Sequence, residues 1–145
     1  MSINNISPDV WGPPAWSFLH YLTFSYPDNP TSMDKQNMKA FFSALGPILP
    51  CEKCRMNFAK HTSIYPLNDE ALSSRFDLIN WLINIHNEVN KMNGKRIFTY
   101  DEAMDAYLYK KDNNCLIVNT RMAVIVVSIV IIIIMVVFLK CMNSN

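Results

Sequence analysis

Glycine is scarce in this chain, three among 145 residues, and no segment has the repetitive or low-complexity character of a linker. So few backbone-permissive positions, set among many helix formers, point to an all-α domain. Charge of one sign is not concentrated anywhere. The net charge is +1 without a basic block, so nothing marks nucleic acid as a partner. The start, Met1-Ser2-Ile3-Asn4-Asn5, lacks the basic residues and apolar run of a cleavable signal, and none is expected. Cysteine numbers only four, at positions 51, 54, 115 and 141. A disulfide-dense secreted scaffold would use more, and only the first two are close in sequence.

Those two form the stretch that organises the rest: Leu49-Pro50-Cys51-Glu52-Lys53-Cys54. Residues i and i+3 are neighbours on a helical turn, so a disulfide can close across this spacing. Pro50 suits the approach to a new helix, whose first amides and positive dipole end favour thiolate over thiol. A reducible pair there can pass electrons. Half a zinc site or a purely structural bridge fits the motif as well.

The apolar periodicity predicts five helices. Trp11-Gly12-Pro13-Pro14 reads as an extended lead-in to a first helix over Ala15–Tyr26, with Trp16, Leu19, His20 and Thr23 on one face. A second runs from Asp34 to Leu45 with Met38, Phe41, Phe42 and Leu45 as its stripe, stopped by Gly46-Pro47. The third covers Cys51–Lys60. The fourth covers Leu72–Met92 around Leu78, Leu82, Ile85 and Val89, and Asn93-Gly94 ends it. A short fifth spans Tyr100–Tyr109. The expected fold is a four-helix bundle plus that fifth helix, residues 1–109. A linker over 110–121, an apolar run over 122–139 and a tail over 140–145 follow. At a rise of about 1.5 Å per residue the run covers roughly 27 Å, near the thickness of a bilayer core. Lys110, Lys111 and Arg121 precede it and only Lys140 follows, so the expectation is a single C-terminal tail anchor with the domain facing the cytoplasm.

On the fourth helix, positions 83, 86, 87 and 90 share a face, so His86, Asn87 and Asn90 project together. Three polar groups on a helix otherwise packed by Leu and Ile need partners, since each left buried and unpaired costs about 1–3 kcal/mol. Lys91, Lys95 and Arg96 cluster where that helix ends, either as a solvated basic patch or as a phosphate site.

Taken together, Trp11-Gly12-x-x-x-Trp16-x-x-x-His20, Tyr26-Pro27-Asp28-x-Pro30, Pro50-Cys51-x-x-Cys54, then His86-Asn87-x-Val89-Asn90 and Lys95 resemble the Erv/ALR family of FAD-linked sulfhydryl oxidases. The match spans roughly residues 10 to 108 and is most like the short members encoded by large DNA viruses. The resemblance implies a helical bundle holding FAD at its mouth, usually as a homodimer. It implies electron transfer from protein dithiols, through Cys51–Cys54, to FAD and then to O2, giving H2O2. Cys54 would lie next to the isoalloxazine and Cys51 would meet incoming thiols. Gly12, Trp16, His20, Ile83, His86, Asn87, Val89, Asn90, Lys95 and Tyr107 would hold the cofactor, and no metal is called for. The thiol substrate of viral relatives is typically a thioredoxin-like carrier, and association with a virion is open.

The sequence also departs from the family. Pro13 stands where an Arg is common and Tyr107 where a Trp is common. A second family disulfide would join the positions of Ile83 and Tyr100. Cys115 could shuttle electrons, pair between chains or stay inert; Cys141 could carry a palmitoyl group or be a spectator. Three other functions compete: a zinc-binding adaptor using Cys51, Cys54, His61 and His86, a thioredoxin-like reductase, and a membrane-anchored interaction module. The adaptor lacks a second ligand pair at zinc spacing, and the reductase lacks a βαβ pattern.

Overall fold

The computed structural model describes residues 6–109, 123–135 and 139, and the chain divides into two units, residues 1–109 and 110–145. The first unit is all-helical: α1 (Pro8–Phe24), α2 (Ser32–Ile48), α3 (Glu52–Ile64), α4 (Arg75–Met92) and α5 (Tyr100–Tyr107).

Several boundaries differ from the expectation: α3 runs on to Ile64 rather than Lys60, α4 starts at Arg75 behind the Ser74 cap rather than at Leu72, and the two largest differences in α1 and α2 fall at prolines. α1 begins seven residues earlier than Ala15, because Ser7 caps it and Pro8 occupies its first turn, where a missing N–H costs nothing. Pro13 and Pro14 lie inside it. Gly12, having no Cβ, escapes the clash that keeps most residues before proline out of the helical region. α2 likewise runs through Gly46-Pro47 to Ile48 and starts two residues before Asp34, behind a reciprocal Thr31–Asp34 capping box. Gly46 is buried against α3, and a Cβ there would sit 2.9 Å from Phe58 Cδ1. Gly46→Ala therefore gains about 0.5–1 kcal/mol of helix propensity and loses about 1–3 kcal/mol to overpacking. The expected net is a loss of about 1 kcal/mol, read by urea unfolding; a more stable variant would contradict this packing.

α4 is the axis of the unit. It buries Leu78, Ile79, Trp81, Leu82, Ile83, Ile85, His86 and Asn90, and α1, α3 and α5 pack on it. Leu19, Tyr26, Phe42 and Leu72 join the α4 residues in the main core, with Met38, Phe41 and Leu45 packed against it. Val89, expected in that stripe, is only half-buried, and Trp81 fills the core in its place. The connection to α4 is pinned by side chains: Tyr26 donates its hydroxyl to Leu72 O (3.1 Å), Trp81 Nε1–H donates to Tyr65 O (2.9 Å), and Arg75 pairs with Asp28. Ile83 and Tyr100, the positions of the family's second disulfide, share an apolar cluster with Ile79, Ala103 and Phe24.

In the second unit, residues 123–135 form a helix with exposed apolar side chains, and Ser128 donates its hydroxyl to Val124 O (2.8 Å). These described residues lie within the span expected over 122–139; residues 122 and 136–138 of that span are outside the described residues. Among the described residues no helix is long and apolar enough to cross a membrane. The linker 110–121, Cys115, Cys141 and the tail lie outside the described residues.

Candidate active site

Cys51 and Cys54 are disulfide-bonded, with Cα atoms 5.0 Å apart. Cys51 is the N-cap of α3, in an extended conformation that ends the Leu49-Pro50 approach, and its Sγ accepts the Cys54 backbone N–H at 3.2 Å. The two sulfurs are thereby unequal, because the helix N-terminus is aimed at the Cys51 sulfur. Arg55 donates Nη1–H to Leu49 O (2.7 Å), tying the approach to the first turn of α3.

A second constellation lies where α1, α4 and α5 meet. Trp16 stacks on His86, centroids 3.9 Å apart and planes 2° from parallel, while His20 stacks on Tyr107 at 4.1 Å. His20 Nε2 and His86 Nδ1 are 3.1 Å apart, one donating and the other accepting according to tautomer. Phe98 closes a further side, 5.8 Å from His86. It is brought there by the end of α4. Gly94 takes φ +64°, the left-handed conformation a side chain would resist, and Lys95 N–H returns to Asn90 O (2.8 Å). Asn87 then clamps Phe98 through both amide groups, donating Nδ2–H to its carbonyl and accepting its N–H, each at 2.8 Å.

The box leaves polar atoms without partners. His20 Nδ1 and Asn90 Nδ2 are buried and unbonded, and outside the box so are Trp11 Nε1 on α1 and both ring nitrogens of His61 on α3. An unmade bond on a buried group costs about 1–3 kcal/mol, so the atoms of the box fit a polar ligand that the chain itself does not supply. Of the three basic residues at the end of α4, Lys91 pairs with Glu88 and Arg96 with Glu102. Lys95 alone has no acidic partner among the described residues, which leaves it available to an anion. Gly12 faces open space, so its bareness serves no contact within the described chain.

A family model, that of the Erv1 / Alr family, matches residues 13–109. The chain belongs to this family. It is 48% identical over 101 residues to a probable FAD-linked sulfhydryl oxidase of Acanthamoeba polyphaga mimivirus, covering 70% of this chain and 71% of that protein. It is 37% identical over 86 residues to the mitochondrial FAD-linked sulfhydryl oxidase of Saccharomyces cerevisiae, covering 58% of this chain but 44% of that longer protein. The crystal structure of the yeast Erv1 core superposes with a TM-score of 0.64 at 29% identity, covering 74% of this chain and 88% of that one. The FAD-binding domain of yeast Erv1 gives the same TM-score at 30% identity, covering 71% and 95%.

In this Erv1/Alr domain, Trp16, His20, His86 and Tyr107 from the sequence form the box, Asn90 lies one turn beyond His86, and Ile83 is buried one turn before it. Val89 is half-buried and joins none of these contacts. Asn87 spends its amide on Phe98, a positioning role the helical face alone did not show. Phe98 itself was missed, because its place depends on that clamp. His61 is buried on α3 outside the box, and among the described residues no group of three or more His, Cys, Asp or Glu could hold a metal ion. No strand occurs among them either, which leaves the thioredoxin-like reading without its sheet.

Burial dominates the electrostatics. It pushes His20 from 6.5 down to about 3, helped by His86, and His86 down to about 4, helped by Lys95. Burial also lowers His61, with Glu88 opposing. All three are neutral at pH 7, and the unfolded chain binds protons more readily than the folded one. Stability from these sites is full above about pH 6.5 and is lost as pH falls from there, down to about 4 for His86 and about 3 for His20. Urea midpoints that fall between pH 7 and 4.5 are expected; a flat profile would contradict the burial of these imidazoles.

Proposed function

We propose that this Erv1/Alr domain is an FAD-dependent thiol oxidase that makes disulfides in protein substrates. The observation that carries the reading is the closed Cys51–Cys54 disulfide at the N-cap of α3. Beside it in weight stands a box of two stacked aromatic–imidazole pairs whose buried polar atoms lack partners. The residues present fit FAD: Trp16, Tyr107 and the imidazoles offer flat faces for ring systems, His20 and Asn90 offer polar atoms, and Lys95 offers charge for a pyrophosphate. Bound FAD supplies the two-electron acceptor that O2 regenerates with release of H2O2.

The chain's own part is thiol exchange. A substrate thiolate attacks Cys51 Sγ; the Cys51–Cys54 bond breaks and Cys54 leaves as thiolate. A second substrate thiolate then attacks the substrate sulfur of the mixed disulfide and expels Cys51. The Cys54 N–H and the helix N-terminus are aimed at the charge that develops on Cys51, which makes it a good leaving group. The substrate has lost two electrons and the protein pair has gained them.

The purified full chain is expected to show flavin absorption and to consume O2 with dithiothreitol. Colourless, folded protein that takes up no added FAD would end the reading. The resemblance favours a thioredoxin-like carrier as thiol donor and a homodimer as assembly. The half-exposed Phe18 and Tyr21 on α1 are compatible with self-association. The apolar run over 122–139 favours a membrane anchor, and the excess of Lys110, Lys111 and Arg121 on its domain side favours a cytoplasm-facing domain. Flotation of the full chain with liposomes tests the anchor.

A further inference from the structure

The groove between α2 and α3 serves neither the disulfide nor the aromatic box. Its volume is about 570 Å³, and Phe42, Phe58, Leu67 and Trp81 give it an apolar lining. Among the described residues Lys39 and Arg55 are its only charged lining residues, and no Asp or Glu lines it. Lys39 has no ion pair among the described residues. Along α3 the groove runs from Arg55 to Thr62, roughly 10 Å at the helical rise, which accommodates about three residues of extended chain.

The groove also begins beside the redox pair. Arg55 follows Cys54 directly, lines the groove, and holds Leu49 O at 2.7 Å. One side chain therefore borders both the groove and the segment leading to Cys51. We infer that this groove docks the stretch of a protein substrate that flanks its cysteine pair, taking an apolar side chain against Phe42, Phe58 and Trp81 and a carboxylate at Lys39. The inference rests on the thiol-oxidase reading and names the class of substrate sequence that site prefers. Docking of this kind raises the local concentration of the substrate thiols at Cys51 without altering the exchange chemistry.

The test uses the full chain loaded with FAD and three probes: dithiothreitol, a Cys-Gly-Ser-Cys peptide flanked on both sides by Leu and Asp, and the same peptide flanked by Ser and Lys. The Leu/Asp peptide is expected to show about tenfold higher kcat/KM than its counterpart, as burial of one apolar side chain would give. Ser43 lines the groove and is exposed, so Ser43→Trp fills the groove from its rim. It should abolish that advantage and leave the dithiothreitol rate unchanged. Lys39→Glu should reverse the Asp-over-Lys component. Analogues with Ser for both Cys, followed by calorimetry, read docking without turnover. Equal oxidation of the two peptides, no difference in analogue binding, or an advantage that survives Ser43→Trp would overturn the inference. A change of oligomeric state in Ser43→Trp would also overturn it, by making the groove a contact between copies. Preferential analogue binding without dithiothreitol oxidation would instead sink only the oxidase reading.

Discussion

Cys54→Ser is expected to cut dithiothreitol-driven O2 consumption by at least about a thousandfold while leaving the fold and bound flavin in place. The variant has no disulfide for a thiolate to attack and no Cys54 thiolate to receive electrons. The structural cost is small, because Cys54 sits at the third position of α3, half-buried, with its backbone N–H still able to reach the N-cap side chain. Cys51→Ser should be equally inactive and equally folded, since serine is a better N-cap than cysteine. Circular dichroism, flavin absorbance and an oxygen electrode on the same samples separate these effects. Turnover by Cys54→Ser at the unsubstituted rate would show that electrons take another route.

His86→Ala should have the largest effect on cofactor retention and a large one on stability. It removes the stack on Trp16, breaks the contact with His20, and leaves a buried imidazole with neither nitrogen bonded. Loss of a buried ring plus an orphaned polar group costs on the order of 3 kcal/mol, or a drop in Tm of more than about 10 °C in a domain of this size. FAD affinity should fall at least about a hundredfold, because one wall and one polar edge of the box go together. Asn84→Ala, exposed on the same helix, should change neither reading. A His86→Ala protein that kept one flavin per chain and the unsubstituted Tm would mean that the box does not hold the cofactor.

The helices and the box were legible to different depths. Spacing on α1 and α4 put Trp16 with His20 and His86 with Asn90, because a helix fixes which residues share a face. It could not say that Trp16 would stack on His86 rather than on His20, from which it stands 6.3 Å away. That choice depends on how α1 crosses α4. The proline boundaries were misread for a related reason: Gly46-Pro47 carries a stop signal, yet packing of Gly46 on Phe58 holds α2 in register beyond it.

The sequence by itself determined an all-helical domain, a redox-capable cysteine pair at a helix start, and a set of aromatic and polar residues on two faces, since all three follow from local spacing. Tertiary structure alone decided which of those residues meet. It stacked Trp16 of α1 on His86 of α4 and Tyr107 of α5 on His20, set the two imidazoles 3.1 Å apart, and left His20 and Asn90 buried with unmade bonds. Pairing between elements distant in sequence depends on packing and desolvation, which no local pattern encodes.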